Sequence, residues 1–357
     1  MSVRGASTTD APRFDDAARS YDAVLVMSFG GPEGPADVMP FLERVTAGRH
    51  IPRERLLEVA HHYDRFGGVS PINAQNRALI AALETELRAR GPALPVYFGN
   101  RNWHPFVADT MRQMRDAGVR RAVTFVTSAF STYSGCRQYR EDIMRAQDEV
   151  PGAPEIDKLR VFFNHPGFVE PCAANLRAAL GQIPAERRAT GRVAFTAHSI
   201  PQAMADGCDY ELQLREAARL VAAGAGGARW DLVYQSRSGA PQVPWLGPDV
   251  GEYLDGVAAA GAQDVVLLPL GFISDHMEVL FDLDVEARER AAELGLNLVR
   301  AATVGTAPAF IRMIRDLIVE RTTERPERLA LGTLGPWHDI CPLTCCLAST
   351  ARAGRPG

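Results

Sequence analysis

The sequence has almost no lysine: Lys158 is the only one among 357 residues, against 38 arginines. This bias is typical of a GC-rich bacterial genome and by itself indicates nothing about mechanism. The chain also lacks an excess of positive charge, since its formal net charge is −4. Proteins that bind nucleic acid need a basic surface, so we expect no nucleic-acid partner.

Long apolar runs are missing as well. No run approaches the ~18–20 residues that a membrane-spanning helix needs, and the longest, such as 23–27 and 265–268, have the length of buried strands. Residues 1–20 contain no apolar core of a secretory signal and are typical of a disordered polar leader. We therefore expect a cytoplasmic protein, whose six cysteines would favour metal ligation over disulfides in that reducing compartment.

Common signatures of nucleotide binding are also absent from the sequence. There is no GxxxxGK[ST] loop, and the first predicted strand ends in SFGGP (residues 28–32) rather than in GxGxxG. Pro32 would stand in the turn where a phosphate-binding loop offers backbone N–H groups. We therefore expect no nucleotide cofactor.

Eight short apolar runs do recur along the chain, with helical spacing between them. Continuous runs of Val, Leu and Phe are typical of strands covered on both faces, and strand–helix alternation favours parallel α/β sheets. The runs fall into two groups of four, which predicts two similar doubly wound domains, each with a mostly parallel four-stranded sheet flanked by helices. Functional loops then lie at the carboxyl ends of the strands, beside the cleft between domains. The predicted strands are 23–29, 95–99, 122–127, 159–164, 193–197, 232–235, 265–270 and 298–303.

One predicted strand delivers a histidine at its carboxyl end, in FTAHSIP (residues 195–201). Histidine titrates near neutrality, so His198 could take protons or bind a divalent metal. Alone, it would more often be a buried structural histidine. The segment YQSR (234–237), followed by PWLGPDV (244–250), places Trp245 on a stiff loop, where it could stack on a flat ligand or simply cover the core.

A second chemical segment is PLGFISDHMEVLFDLD (269–284), which leads into a helix. Glu278, Asp282 and Glu286 follow each other at four-residue spacing, so their carboxylates should lie along one helical stripe. Like charges at that spacing repel, and a cation would relieve the repulsion. Oxygen ligands in a row suit a hydrated divalent ion in transit. A solvated acidic face is the plainer interpretation.

Together, these segments resemble the ferrochelatase family in order and spacing. FTAHSIP is similar to its catalytic-histidine motif, YQS with PWLGPDV to its signature stretch, and PLGFISDHMEVLFDLD to its metal-side helix. VMSFGGP (26–32), FGGVSP (66–71) and residues 131–139 match as well. The resemblance covers residues 22–325.

The resemblance implies a chelatase-like fold whose interdomain cleft holds a porphyrin, and an enzyme of heme biosynthesis that inserts Fe²⁺ as a substrate. His198 would accept pyrrole protons near the ring centre, and Glu278 would oppose it across the porphyrin. Asp282 and Glu286 would lead protons out or iron in. The implied units are a leader (1–20), an N-terminal domain (21–170) with a mobile lip (41–71), a C-terminal domain (171–305), a helix packing back on the N-terminal domain (306–325), and a cysteine-containing tail (326–357).

Polar side chains near the cleft entrance are candidates to bind the porphyrin propionates. Arg49 is the first candidate, because guanidinium pairs with carboxylate in bidentate geometry. Phe29 stands where several bacterial relatives have tyrosine; it cannot ligate a metal, so only packing against the ring remains for it. The other predicted substrate-binding residues are Tyr63, Arg65, Ser70, Tyr139 and Trp245.

Three cysteines, Cys341, Cys345 and Cys346, lie within six residues of the tail. Some ferrochelatases hold a [2Fe–2S] cluster with three C-terminal cysteines and one distant cysteine, which matches Cys136 by position. Four thiolates suit such a cluster or a Cys₄ zinc site. We expect a structural cluster that pins the tail to the first domain.

The resemblance leaves the porphyrin open. Coproporphyrin III, giving coproheme, is favoured because similar bacterial enzymes, from lineages with the same arginine bias, often act on it, and because the set of candidate propionate-binding residues is extended; protoporphyrin IX, giving protoheme, is the alternative. A non-catalytic tetrapyrrole carrier would need neither His198 nor Glu278, and a chelatase for cobalt or nickel is disfavoured by the DHMEVLFDLD match. The expected state is a monomer, with at most transient contact with other heme-pathway enzymes or a membrane surface.

Overall fold

The computed structural model describes residues 13–48, 51–239 and 242–348. Over these ranges eight strands form two four-stranded sheets, all of whose strand pairs are parallel. The first sheet has the order β2-β1-β3-β4 and the second β6-β5-β7-β8. The strands are β1 (Ala23–Ser28), β2 (Val96–Asn100), β3 (Arg121–Val126), β4 (Glu155–Lys158), β5 (Arg192–His198), β6 (Trp230–Gln235), β7 (Asp264–Leu268) and β8 (Asn297–Arg300).

Helices connect the strands and cover both sheets. They are α1 (Pro35–Val45), α2 (Arg53–Asp64), α3 (Ile72–Arg90), α4 (Val107–Asp116), α5 (Gln138–Glu149), α6 (Pro166–Leu180), α7 (Gln202–Ala205), α8 (Tyr210–Gly224), α9 (Val250–Ala259), α10 (Met277–Val279), α11 (Ala287–Glu293) and α12 (Pro308–Thr322). Two π-helices, Tyr133–Arg137 and Leu280–Glu286, and a 3₁₀ turn, Arg188–Thr190, complete the list. Every residue of β1 and of β7 is buried, because helices cover both faces. The predicted pair of parallel α/β units is confirmed.

The fourth predicted strand was wrong in position. Residues 159–164 are not a strand; the strand is the more polar Glu155–Lys158, which pairs with β3 from Arg121 to Thr124. The apolar run that follows is buried for another reason. Arg160 enters a buried ion pair with Glu320 on α12, and the Asn164 amide donates to the carbonyls of Leu331 and Gly335. The run therefore packs beneath the tail, which the sequence pattern does not reveal.

The largest hydrophobic core spans both halves of the chain. Phe125 on β3, Phe162 and Phe310 on α12 form a contacting group of aromatic rings, with centroids 5.3 to 6.3 Å apart. Helix α12 lies against α3 and α6. The boundary expected at residue 170 falls inside α6, so this helix runs from one predicted domain into the other. The remaining domain boundaries stay predictions.

The two ends of the described chain are joined. Arg13 and Ile340 exchange backbone hydrogen bonds, and the Asp15 N–H donates to the Asp339 carboxylate. Asp15 also pairs with Arg321 at 3.0 Å. Residues 13–20 therefore do not form the disordered leader expected from their composition; they are ordered because the tail supplies charged partners. The first twelve residues of that leader lie outside the described ranges.

None of the helices in the described ranges is both long enough and apolar enough to span a bilayer.

Candidate active site and cysteine cluster

His198 ends strand β5, at the carboxyl edge of the second sheet. Its Nδ1 is within hydrogen-bond distance of the Ser199 carbonyl, which can only accept, so Nδ1 carries a proton and Nε2, which faces Glu278, is the nitrogen that can gain or lose one. The Ser199 hydroxyl donates to the Leu246 carbonyl at 2.7 Å. The loop that carries Trp245 therefore fixes the backbone on which the histidine stands.

Glu278 lies beside His198. Its Oε2 is 3.7 Å from His198 Nε2. A macrocycle between two groups needs about 3.5 Å on each side, or roughly 7 Å in all. The loop from β7 to α10 brings the two side chains into contact, with no room for a ring between them here, and their placement relative to a porphyrin stays a prediction.

Charge couples the two side chains. Burial opposes ionisation of Glu278, but the charge of His198 and its hydrogen bond outweigh burial and hold the pKa of Glu278 at about 2. Burial likewise opposes protonation of His198, yet Glu278 outweighs it and raises the pKa of His198 above its usual value. The pair thus offers a permanent carboxylate next to a histidine of increased basicity.

A third member of the site, His276, was missed by sequence reasoning. Its Nε2 is 4.0 Å from Glu278 Oε2, and its Nδ1 accepts the Val279 N–H at the start of α10. Burial lowers the pKa of His276, so its neutral form is favoured. The available signal was the position of His276 in DHMEV, two residues before Glu278, where a histidine could cap the helix that carries this carboxylate.

The predicted carboxylate stripe is present, but on a π-helix. Asp282 and Glu286 lie in Leu280–Glu286 rather than in a regular α-helix, and π-turns often occur at functional sites. Burial, with the charges of Glu278 and Glu286, raises the pKa of Asp282 to about 7. Burial also raises the pKa of Glu286. Asp282 can therefore exchange protons near neutrality, next to a carboxylate that stays ionised.

Two donors hold Asp282. The Gln235 amide donates to its Oδ2 at 3.2 Å, and the Ser236 hydroxyl donates to the same oxygen. Ser236 adopts φ 62°, a left-handed conformation that is uncommon for a residue with a side chain. Strain of this kind is typical of functional sites. The YQS segment thus contributes donors to the carboxylate stripe.

The residues predicted to bind the substrate lie at different depths. Arg49 lies outside the described ranges. Tyr63 and Ser70 are buried, and Arg65 is half exposed, with its guanidinium 3.2 Å from the Glu289 carboxylate. Burial and then the charge of Glu278 raise the pKa of Tyr63.

Phe29, Tyr139 and Trp245 differ in their surroundings. Phe29 is 37% exposed and contacts Phe41 edge to face, whereas Tyr139 is buried beneath the Arg101 guanidinium. The Trp245 ring packs on Gly239, where a Cβ would come within 2.3 Å of it. The Trp245 indole N–H is buried without a hydrogen-bond partner in the described residues.

The four predicted cluster cysteines converge. Cys136, in the π-helix Tyr133–Arg137, donates its thiol to Cys341, and Cys341 is in hydrogen-bond contact with Cys345. Cys345 Sγ is 3.5 Å from Cys346 Sγ. The Arg137 guanidinium donates to the carbonyls of Leu343 and Cys345, which holds the tail loop against the π-helix.

His338 joins this cluster and was not predicted from the sequence. A ring nitrogen of His338 and the sulfurs of Cys341 and Cys345 lie within 4.8 Å of one another. His338 Nε2 is buried with no hydrogen-bond partner in the described residues, and burial lowers the pKa of His338 to about 4, so the ring is neutral. Four thiols and an unpartnered imidazole are a donor set that fits a metal or an iron–sulfur cluster.

Comparison with known proteins identifies this arrangement. The ferrochelatase family model matches residues 21–322. A ferrochelatase of Rhodopirellula baltica is 56% identical over 345 residues, covering 94% of this chain and 97% of that protein. Coproporphyrin III ferrochelatases of Streptomyces coelicolor and Nocardia farcinica are 51% and 56% identical, covering 95% and 94% of this chain and 96% and 98% of their own lengths.

Among solved structures, SirB from Bacillus subtilis with Fe³⁺ superposes with a TM-score of 0.53 at 12% identity, covering 86% of this chain and all of SirB. The protein is thus a two-domain α/β protein of the chelatase fold. More narrowly, the chain belongs to the ferrochelatase family, and it is an enzyme that inserts iron into a porphyrin. The family, fold class and activity expected from the sequence are confirmed.

Proposed function

We propose that this enzyme inserts Fe²⁺ into coproporphyrin III to form coproheme. Relatives at 51–56% identity, over nearly their full lengths, carry that name. The observation that carries the mechanism is the contact between His198 and Glu278, because it joins a base and a permanent carboxylate at one point of the cleft.

In this proposal, iron replaces two pyrrole N–H protons, and no electron is transferred. His198 Nε2 takes a proton from the ring, since Nδ1 is already protonated toward the Ser199 carbonyl. Glu278 neutralises the imidazolium that results and offers an oxygen to the incoming ion. Two protons must then leave the cleft.

Asp282 is the proposed next acceptor. Its pKa of about 7 lets it take a proton and release it near neutral pH, and Glu286 follows on the same π-helix. The donors from Gln235 and Ser236 hold Asp282 in place during this exchange. The spacing of the stripe also predicts that Asp282 and Glu286 contact the metal ion, and this stays a prediction.

Coproporphyrin III carries four propionates and protoporphyrin IX two, so the first needs more cationic partners. Arg49 and Arg65 are the proposed propionate partners, with hydroxyl donors from Tyr63, Ser70 and Tyr139. Arg65 is the best supported by position, since it is half exposed and already binds a carboxylate, that of Glu289. Phe29 and Trp245 are proposed to pack on the macrocycle.

Anaerobic assays with ferrous iron and either porphyrin test this proposal. We expect loss of porphyrin fluorescence to be faster with coproporphyrin III, and to fall at least about a hundredfold in His198→Ala and in Glu278→Gln, while porphyrin binding persists. The matched control is Glu293→Gln, an exposed carboxylate on α11. Faster turnover of protoporphyrin IX would assign the other substrate. Unchanged turnover in His198→Ala would overturn the mechanism.

We further propose that Cys136, Cys341, Cys345 and Cys346 hold a [2Fe–2S] cluster. The thiols form two contacting pairs, Cys136 with Cys341 and Cys345 with Cys346, and each pair could bind one iron. His338 is the alternative to Cys346 as fourth ligand, because its nitrogen lies with Cys341 and Cys345. When bound, the cluster would fasten the tail to the first sheet; iron insertion itself needs no electron from it.

Substitution of Cys136 by Ser tests the cluster proposal. We expect the visible cluster bands to disappear and the melting temperature to fall. Cys172→Ser is the matched control, since this buried thiol lies on α6 outside the cluster. Cys346→Ser and His338→Ala, compared with each other, identify the fourth ligand. Retained bands and an unchanged melt in Cys136→Ser would rule out this ligand set. A monomeric state and a cytoplasmic location stay predictions.

A further inference from the structure

A small cavity lies against the proposed cluster site. Its wall includes Cys136, Cys341 and His338 on the cluster side, and it also carries the side chains of Lys158 and Arg140. Lys158 ends strand β4, and Arg140 lies on α5, in the first turn after the π-helix that holds Cys136. Two cationic side chains from separate elements therefore meet at a cluster of thiols.

These two cations are uncompensated in the described part of the chain. Lys158 donates to the Leu159 carbonyl at 3.1 Å, and Arg140 Nη1 is buried with no hydrogen-bond partner. Neither side chain forms an ion pair with a described residue. A buried guanidinium nitrogen without an acceptor is costly, which indicates that an acceptor is missing from this cavity.

The other charged residues of the cavity already have partners. Arg160 is paired with Glu320 at 2.8 Å, and Asp339 with Arg328 at 3.0 Å. They leave no free carboxylate to balance Lys158 and Arg140. The remaining groups that could carry negative charge are the thiols, and both cations already favour ionisation of Cys136, although its hydrogen bond to Cys341 and burial together raise the pKa of Cys136.

A [2Fe–2S] cluster on four thiolates is doubly negative, and triply negative after one-electron reduction. We propose that Lys158 and Arg140 form the charge-compensating wall of the cluster site, stabilising its negative charge and setting its reduction potential. This inference rests on the proposed cluster and adds two residues that bind no iron. It also assigns a role to Lys158, the only lysine in a chain that otherwise uses arginine.

The midpoint potential of the cluster in the as-isolated enzyme, followed by its paramagnetic resonance signal, tests this inference. Lys158→Met and Arg140→Met should each shift the reduction equilibrium about tenfold against the reduced cluster, or about 59 mV toward negative potential. Lys158→Arg and Arg140→Lys should titrate close to the wild type, because the charge is kept. Arg145→Met is the matched control: its guanidinium lies on the same helix but is 71% exposed and paired with Asp142.

The other possible results of this experiment also support or overturn the inference. Loss of the cluster in a Met variant, with retention in its charge-keeping counterpart, would support the inference, since only charge differs. Unchanged potentials in both Met variants, at full iron content, would overturn it and leave the cluster proposal standing. Loss in both kinds of variant would show that shape matters and charge does not. A wild-type enzyme without cluster iron would overturn this inference and the cluster proposal, but not iron insertion, which the His198 variants test.

Discussion

One or two neighbouring side chains set the ionisation of each carboxylate in the candidate site. Glu278 stays ionised because the charge and hydrogen bond of His198, 3.7 Å from its carboxylate, lower the pKa of Glu278. Asp282, one turn further, is pushed toward neutrality by the same burial without a cationic partner. Two carboxylates on one stripe therefore differ in pKa, which is the basis for proposing one as a fixed charge and the other as a proton carrier.

Burial also makes His165 a pH-sensitive residue of the fold. It caps α6 by accepting the Gly167 N–H through Nδ1, and burial lowers the pKa of His165 to about 3. Below pH ~6.5 the unfolded chain takes up a proton that the folded chain refuses, so stability present above that pH is lost as pH falls toward 3. Near pH 5 this histidine should cost the fold about 2 kcal/mol.

The variant His165→Asn keeps a capping acceptor and removes the titration. We expect its loss of stability between about pH 7.5 and pH 5, measured by urea denaturation, to be smaller than that of the wild type by about 2 kcal/mol. His61→Asn, at an exposed position, serves as the control. The same loss of stability in both variants and the wild type would contradict this assignment.

At the scale of elements, helix α2 and the π-helix form the contact across the cleft. The His62 ring stacks on Phe281, with centroids 3.8 Å apart and an angle of 7° between the planes. Arg65, just after α2, pairs with Glu289 on α11. Met277, next to Glu278, packs in the same hydrophobic cluster as Phe41 and Tyr63. The predicted lip is thus held against the π-helix that carries Asp282 and Glu286.

Removal of this stack should loosen the lip. We expect His62→Ala to increase hydrogen exchange in α2 several-fold at the peptide level, because an aromatic contact across the cleft is lost. His61→Ala is the matched control, one residue away with a side chain 77% exposed. Equal exchange in the two variants would show that the stack does not hold α2 in place.

The sequence predicts a strand or helix well when segments near it in the chain bury it, and poorly when a distant segment does. Strands β1 and β7 were predictable because both faces lie in the core, whereas the run from Leu159 to Asn164 is buried by the tail, far away in sequence. The carboxylate stripe was predictable from spacing, but its π-helical geometry was not. His338 was missed although its spacing three residues before Cys341 was a visible signal of metal ligation.

On the scale of the whole molecule, buried ion pairs fasten the tail and the N-terminal segment to the core. Arg321 pairs with Asp15, and Arg328 pairs with Asp339. Arg160 binds Glu320 in a bidentate pair. The Asp339 position matters because it lies between His338 and Cys341. The same network that joins the chain ends therefore positions the segment that carries the cluster ligands.

Breaking the Arg160–Glu320 pair should destabilise the protein strongly. Arg160→Met leaves Glu320 charged and buried, which costs about 3–5 kcal/mol, whereas the double variant with Glu320→Leu should recover most of that loss. Arg112→Met, at an exposed pair, should leave stability close to that of the wild type. Thermal unfolding of the four proteins measures this. A double variant as unstable as the single one would show that the pair is not the cause.

The central claim is that one metal ion meets His198 and Glu278 together on one side of the porphyrin. The most direct measurement is anomalous diffraction from crystals grown with coproporphyrin III and Zn²⁺ as a stand-in for ferrous iron. We predict a peak about 2.1 Å from both His198 Nε2 and a Glu278 oxygen, with both side chains on the same face of the ring. A ring lying between the two side chains, or a metal bound only at Asp282 and Glu286, would contradict the account.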